Sequence, residues 1–104
     1  MTKFSKGIGG FKAEDMIDIG GGRAVKMLTS KFSSGKLQTV AHGVQPTEQG
    51  FVWLPFSDFS ERIESSALRC TEKNVMAQHA AAMAKIEEIK ARAIAFYKLE
   101  AVAA

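Results

Sequence analysis

The chain has 104 residues, of which 46% are hydrophobic and 24% are charged, a composition typical of a globular domain. This composition excludes an intrinsically disordered chain and a collagen-like repeat. No apolar run approaches the roughly 20 residues that a membrane-spanning helix needs, and the N-terminus lacks the apolar segment of a secretion signal. We therefore expect a cytoplasmic protein that does not associate with membranes.

A single cysteine, Cys70, indicates a reducing compartment, because it has no partner for an internal disulfide. Stability must therefore come from packing. A domain of this length buries only about two thirds of the surface that its unfolded chain exposes, so association with a second copy is a common supplement.

The positive charge is concentrated in one segment. The net charge is +3, but residues 20–47 contain four of the 14 cations and no acidic residue. In the rest of the chain, ten cations face 11 acidic residues, so their charges nearly cancel. A local excess of positive charge favours a polyanionic partner.

The first half of the sequence predicts a flexible arm followed by an antiparallel meander. Residues 1–15 contain three glycines and show little periodicity, which indicates the arm. Alternating apolar and polar residues between glycine- and proline-containing turns predict three or four strands. These lie at residues 16–19, 23–32, 36–45 and 51–54.

After Pro55 the spacing of apolar residues changes to that of a helix. Phe56, Phe59 and Ile63 are three and four residues apart, which predicts a short helix. Thr71 is a candidate N-cap for a second helix, and residues 72–101 contain no glycine or proline, which favours one continuous helix. Such a helix would be about 45 Å long and could not be fully buried within one monomer.

The apolar stripe of this long helix predicts a homodimer or a higher oligomer. Its apolar residues follow three- and four-residue spacing, and alanines on the helix allow a second helix to approach closely. The alternative is a helix that packs on the sheet of its own chain. The candidate interface residues are Met83, Ile86, Ile89, Ala93 and Phe96.

No arrangement of residues in the sequence indicates catalysis. His42 and His79 lack metal-ligand spacing, so both are interpreted as structural or surface residues. Cys70 has no positioned histidine that would activate it as a nucleophile. The glycine-rich segments 7–10 and 20–22 do not match a phosphate-binding loop. We therefore expect no enzyme activity, no metal, no cofactor and no small-molecule substrate.

Cations and aromatic residues on the predicted strands indicate binding of single-stranded nucleic acid. Cations neutralise phosphates, and unpaired bases stack on aromatic rings. The two-residue period of a strand places Arg23 and Lys31 on one face and Lys26 and Phe32 on the other, so both faces are mixed. The candidate nucleic-acid-binding residues are Arg23, Lys26, Lys31, Phe32, Lys36 and Trp53.

The order in which short motifs follow one another over about residues 16–64 is more informative than any single motif. The motifs are Ile19-Gly20, Arg23-Ala24-Val25, Lys31-Phe32, Gly35-Lys36, the turn at Pro46, Gly50 before a short strand, Leu54-Pro55, and then Phe59 and Ile63. This order resembles the positive-cofactor-four family of transcriptional coactivators. Members of that family bind single-stranded DNA, and relatives occur in bacteria and bacteriophages.

The resemblance implies a curved antiparallel sheet of four strands followed by a helix, with two subunits associating through their helices. It implies that Phe32 stacks on a base, that Lys36 contacts a phosphate, and that the basic residues Arg23 and Lys31 lie along the same path. We accordingly expect residues 1–15 to form a flexible arm, residues 16–70 to bind nucleic acid, and residues 71–104 to serve packing or oligomerisation.

These features together predict an α+β protein that binds single-stranded DNA without catalysis and with little sequence preference. We expect it to act in transcription, replication or recombination, at the nucleoid of a bacterial cell or of a phage-infected host. Two alternatives stay open at this point. One is a protein-interaction module that works through the C-terminal helix, and the other is an RNA-binding regulator that uses the same surface.

Overall fold

A computed structural model describes residues 2–7, 10–32, 35–47, 50–53 and 59–98, with the backbone alone for residues 46, 47 and 50–53. The described residues form six strands and two helices. The strands are β1 (Lys3–Gly7), β2 (Gly10–Gly20), β3 (Arg23–Lys31), β4 (Leu37–Thr47), β5 (Gly50–Trp53) and β6 (Ser60–Ser66). The helices are α1 (Glu72–Met83) and α2 (Ile86–Tyr97). The predicted α+β class is confirmed.

The strands form one antiparallel sheet in the order β1-β2-β3-β4, and both β5 and β6 pair with the remaining edge of β4. β5 pairs with the C-terminal part of β4, and β6 pairs with its N-terminal part. The amide N–H of Gly43 donates to the Phe59 carbonyl oxygen at 2.8 Å, between these two pairings. The predicted sheet of four strands is therefore wrong, since six strands occupy five rows.

Two of the predicted elements are corrected by this sheet. The segment predicted to be a flexible arm contains β1 and the first half of β2, which pair from Lys3↔Glu14 to Gly7↔Gly10. The segment predicted to be a short helix contains β6, because the unpaired edge of β4 offers backbone hydrogen bonds that outweigh a weak local helical preference. The rest of that segment, residues 54–58, lies outside the described residues.

A β-bulge adjusts the faces of β6. The register with β4 shifts between Thr39↔Glu64 and Val40↔Arg62, so β6 has one extra residue at this point. Side chains three residues apart on a regular strand point to opposite faces. The bulge allows Glu61 and Glu64, which have this spacing, to lie on the side of the helices. Glu61 pairs with Arg92 of α2, and Glu64 pairs with Lys85.

The C-terminal region forms two helices where one continuous helix is predicted. The predicted cap is present, because the Thr71 hydroxyl accepts from the Asn74 amide at 3.2 Å. The helical path breaks at Lys85, which has φ −97° and ψ 10°, and Lys98 ends α2 in a left-handed conformation. The break redirects α2 so that its apolar stripe packs on the sheet. Neither helix in the described part of the chain is long and apolar enough to cross a membrane.

Both helices pack on one side of the sheet, which we call the helix face, and the opposite side is the distal face. The larger core cluster joins β2, β3 and β4 to the two helices and contains Ile19, Val25, Met27, Ala41, Phe59, Ala82, Ile89 and Ala93. A smaller cluster lies under the start of α1 and contains Ala13, Leu37 and Val75, with Phe4, Phe11 and Cys70 packed against it.

A chain of buried hydrogen bonds fastens α1 to the sheet beside these clusters. The His79 Nε2–H donates to Asp15 Oδ2 at 2.8 Å, and His79 Nδ1 lies 2.7 Å from the Thr29 hydroxyl. The Thr29 hydroxyl lies 2.7 Å from the Thr39 hydroxyl, which also contacts the Gln78 amide at 3.4 Å. Thr2 donates to the same Asp15 oxygen at 2.6 Å. We call these residues the buried polar chain.

The end of α2 docks against a glycine of β4. A Cβ atom at Gly43 would overlap the hydroxyl and the ring of Tyr97, so only glycine leaves room for this ring. The Phe59 amide also faces the Tyr97 hydroxyl, at 3.4 Å. The aromatic end of α2 can therefore pack against the sheet because Gly43 has no side chain.

We predict that Gly43→Ala lowers the free energy of unfolding by about 1–3 kcal/mol, because the added methyl group displaces Tyr97 from a closely packed site. Urea denaturation followed by circular dichroism measures the change. Gly7→Ala is the matched control, since a Cβ at Gly7 on the edge strand β1 meets no atom within 4 Å. Equal stability of the two variants would contradict this account of α2 docking.

Candidate nucleic-acid interface

Cations from several strands gather at one end of the sheet. The pairing Ala13↔Thr29 places Lys12 of β2 beside the C-terminal end of β3, where Lys31 is located. Lys31 in turn pairs with Leu37, directly after Lys36. Neighbouring strands lie about 4.8 Å apart, so these residues occupy adjacent rows at one end of the sheet. Lys31 pairs with the buried Leu37 and belongs to the helix face, whereas Lys12 follows Phe11 and precedes the buried Ala13, so it belongs to the distal face.

The outer rows and the start of α1 add further positive charge at this end. Lys6 of β1 pairs with Phe11 and lies 5.4 Å from the centre of its ring. β6 ends beside Leu37, and the exposed Arg69 and Lys73 follow it along the chain. We call this surface the cationic end, and it comprises Lys6, Lys12, Lys31, Lys36, Arg69 and Lys73.

The cationic end carries little neutralising charge. Among the described residues of this surface, Glu72 alone is acidic. The next acidic side chain along β2, Glu14, is already engaged, since its carboxylate lies 3.1 Å from the Lys26 ammonium and 4.0 Å from that of Lys3. Six cations against one acidic residue give a local excess of positive charge at the end of five strand rows, which together are about 19 Å wide.

The β3–β4 hairpin holds the predicted aromatic residue at the same end. The Phe32 amide donates to the Lys36 carbonyl at 3.0 Å, and the Gly35 amide donates to the Phe32 carbonyl at 2.9 Å. Gly35 adopts φ +84°, which a glycine tolerates without strain. This closure brings the backbones of the half-buried Phe32 and the exposed Lys36 together, while the exposed Lys31 side chain belongs to the opposite face of the sheet.

The structure separates the other predicted nucleic-acid-binding residues from this cluster. Lys26 lies in the middle of the distal face, where it pairs with Glu14. Arg23 begins β3, about 26 Å from the Lys31 end at a normal strand rise. Trp53 is at that far end too, because its backbone pairs with Val44, and its side chain lies outside the described residues. The predicted set therefore divides into one cluster and three separate residues.

Arg23 packs at the edge of the core, next to α2. Its guanidinium carbon lies 4.8 Å from the centre of the Tyr97 ring, a cation–π contact on the helix face. Arg23 Nη1 is buried without a hydrogen-bond partner, the only such side-chain atom in the described part of the chain. Arg23 thus acts on the packing of α2 and does not face the cationic end.

Most of the predicted oligomer-interface residues pack within their own chain. Ile89 and Ala93 have no exposed surface, and Met83 and Ile86 pack against the same core cluster. Phe96 is 50% exposed and makes edge contacts with Phe59 and Tyr97. Ile89 and Ala93 are therefore not available to a second copy in this structure, because the break at Lys85 turns the apolar stripe onto the chain's own sheet. The homodimer itself stays a prediction.

Asp15, His79 and Thr29 have the carboxylate–imidazole–hydroxyl order of a hydrolase triad, which the sequence did not reveal. Thr29 has no exposed surface, and its hydroxyl is also bonded to Thr39. A substrate therefore has no access to this hydroxyl in the structure. The arrangement is structural, and it satisfies a carboxylate that would otherwise be buried at a high cost. No group of three metal-ligating side chains occurs among the described residues.

His42 lies on the distal face between Lys26 and Ser60. Nδ1 of its imidazole lies 3.1 Å from the Ser60 hydroxyl, and the register places it directly opposite Lys26. Burial lowers the pKa of His42 below its usual 6.5, and the positive charge of Lys26 lowers this pKa further. His42 is therefore neutral at pH 7 and adds no charge to the distal face.

Comparison of the chain with protein-family models, curated proteins and solved structures finds no match. The resemblance to the positive-cofactor-four family accordingly stays a prediction.

We predict that acid destabilises the protein partly through His42. The lowered pKa means that the unfolded chain binds this proton more readily, so His42 favours folding above about pH 6.5 and this contribution is lost as the pH falls towards the folded-state pKa. His42→Gln keeps a partner for Ser60 but cannot titrate. Urea denaturation between pH 7.5 and 5.5 should show a shallower loss of stability in the variant.

A difference of one whole proton between the folded and unfolded states changes the free energy of unfolding by about 1.4 kcal/mol per pH unit. The two slopes should differ by only a fraction of this value, because His42 is only partly buried. Parallel pH profiles of the two proteins would contradict this role of His42. A steeper loss of stability in the variant would mean that folding raises the pKa of His42 instead of lowering it.

Proposed function

We propose that the protein binds single-stranded DNA at the cationic end, without catalysis and with little sequence preference. The observation that carries this proposal is the gathering of six cations and one half-buried aromatic residue at one end of the sheet, with a single acidic residue among the described residues there. These are the two ingredients that hold single strands: positive charge for the phosphates and an aromatic face for an unpaired base.

Electrostatics supplies the attraction for the phosphate backbone. Lys12 of β2, Lys31 of β3 and Lys36 before β4 lie at the same end of three neighbouring strands, so positive charge is present on both faces of this end. Lys6 and Arg69 extend the positive charge towards both edges of the sheet. Each cation that neutralises a phosphate releases a counterion, which makes the affinity fall with salt.

Stacking supplies the preference for unpaired bases. The backbone of Phe32 is fixed by its hydrogen bonds with Lys36 and Gly35, which reduces the backbone entropy that is lost when a base stacks on the ring. A base that stacks on an aromatic side chain contributes roughly 1–3 kcal/mol. In duplex DNA the bases are already stacked on one another, so we expect weaker binding of the duplex.

We predict that Lys12→Ala combined with Lys36→Ala weakens the binding of a labelled 20-nucleotide single strand and lowers its salt dependence. Removing two phosphate contacts should reduce the slope of log affinity against log salt by about 1.4, since each contact with a single strand contributes about 0.7. Fluorescence anisotropy at several salt concentrations measures both quantities. The matched control, Lys85→Ala with Lys90→Ala, removes the same charge from the helices and should leave the slope unchanged.

Phe32→Ala separates stacking from charge in the same titrations. It should weaken binding by roughly 5- to 150-fold and leave the salt slope unchanged, whereas Phe32→Tyr should retain most of the affinity. Equal losses in the Lys12/Lys36 and Lys85/Lys90 double variants would show non-specific attraction and contradict the proposed site. Failure of the wild-type protein to bind the strand at low salt would contradict the function itself.

The expected setting is a DNA transaction such as transcription, replication or recombination, with the protein associated with the nucleoid. Stacking and phosphate contacts do not discriminate between DNA and RNA unless a group recognises the 2′-hydroxyl. Competition with an RNA strand of the same sequence therefore decides between a DNA-binding protein and an RNA-binding regulator. A tighter complex with RNA would favour the regulator.

A further inference from the structure

A cavity lies on the helix face, between the edge strand β1 and α1, away from the distal face. Its volume is about 420 Å³, towards the lower end of the range found for small-molecule sites. Thr2 precedes β1 and lines the cavity with Phe4 and Ala13 of the strands, and α1 contributes Met76, His79, Ala80 and Met83.

The cavity exists because small and large side chains alternate around it. Ala13 on the sheet and Ala80 on the helix leave space in the middle, while Phe4, Met76 and Met83 lie around this space. Met76 is 53% exposed, so a flexible apolar side chain stands at the opening instead of packing into the core. Thioethers adapt to ligands of different shape and make favourable contacts with aromatic rings.

The polar groups of the cavity are already arranged by the buried polar chain. Both ring nitrogens of His79 are bonded, to Asp15 and Thr29, so the imidazole offers a ligand its ring and no unpaired donor. The Thr2 hydroxyl hydrogen is directed at Asp15, which leaves the lone pairs of the Thr2 oxygen as acceptors. The carboxylate of Asp15 disfavours an anionic ligand at this position.

We propose that this cavity binds a flat, uncharged aromatic molecule that carries one hydrogen-bond donor. The ring would lie among Phe4, Met76 and Met83, and the donor would face the Thr2 oxygen. None of the six cations lines the cavity, so the site is distinct from the proposed nucleic-acid contacts. It would make the protein responsive to a small molecule as well as to a polyanion.

Indole is a suitable probe, since it is flat and uncharged and has a single N–H donor. Titration of the full chain, carrying ¹³C-methyl methionine, should give saturable shifts of the Met76 and Met83 methyl signals, with a dissociation constant of about 1 mM or lower. 1-Methylindole, which lacks the donor, should bind several-fold more weakly. The shifts of Met16 and Met27, which do not line the cavity, should stay small.

Ala80→Leu fills the cavity from an exposed helical position and should abolish the saturable shifts. Ala81→Leu adds the same side chain at an exposed position that does not line the cavity, and it should bind indole as the wild type does. Circular dichroism checks that both variants are folded. Absence of saturation in the wild type, or unchanged binding in Ala80→Leu, would overturn the proposal.

Discussion

The hydrogen bond between His79 and Asp15 fastens α1 to the sheet, and both candidate sites depend on the position of this helix. Asp15 is 7% exposed and His79 is 2% exposed, so neither polar group has water as an adequate partner. Their 2.8 Å contact, with Thr29 and Thr2 on either side, satisfies both groups and joins α1 to β2, β3 and the start of the chain. A buried carboxylate without this partner would cost several kcal/mol.

The position of α1 has consequences for both candidate sites. At its N-terminal end, Val75 packs with Ala13 and Leu37, which places Lys73 and the preceding Arg69 over the same edge as the hairpin. One turn further along, His79 and Ala80 form one side of the cavity next to β1. The position of α1 on the sheet therefore contributes to the cationic end and also forms one side of the cavity.

Much of the central sheet could be predicted from local pattern. The alternation in residues 23–32, the glycine in the following turn and the Thr71 cap are short-range signals, and all three are present in the structure. Phe32, Lys31 and Lys36 could be grouped for the same reason, because a hairpin brings together residues that are close in sequence.

The errors concern pairings between distant residues. The glycines of the first 15 residues suggested an arm, although the alternation of Phe11, Ala13 and Asp15 is a strand signal that identifies β2 and with it Lys12. β6 forms because it can pair with the free edge of β4. The break at Lys85 allows Ile89 to reach the core. No glycine or proline in the sequence marks either feature. Arg69 joins the cationic end only through these tertiary contacts.

A double-mutant cycle on Asp15 and His79 tests the central claim most directly. Asp15→Leu and His79→Leu, alone and combined, are compared by urea denaturation. The buried pair predicts that each single variant loses about 3–5 kcal/mol, because it leaves the other group buried without its partner, and that the double variant loses less than the sum by about 2 kcal/mol or more. Losses that add within about 0.5 kcal/mol would contradict the claim that this bond secures α1 on the sheet.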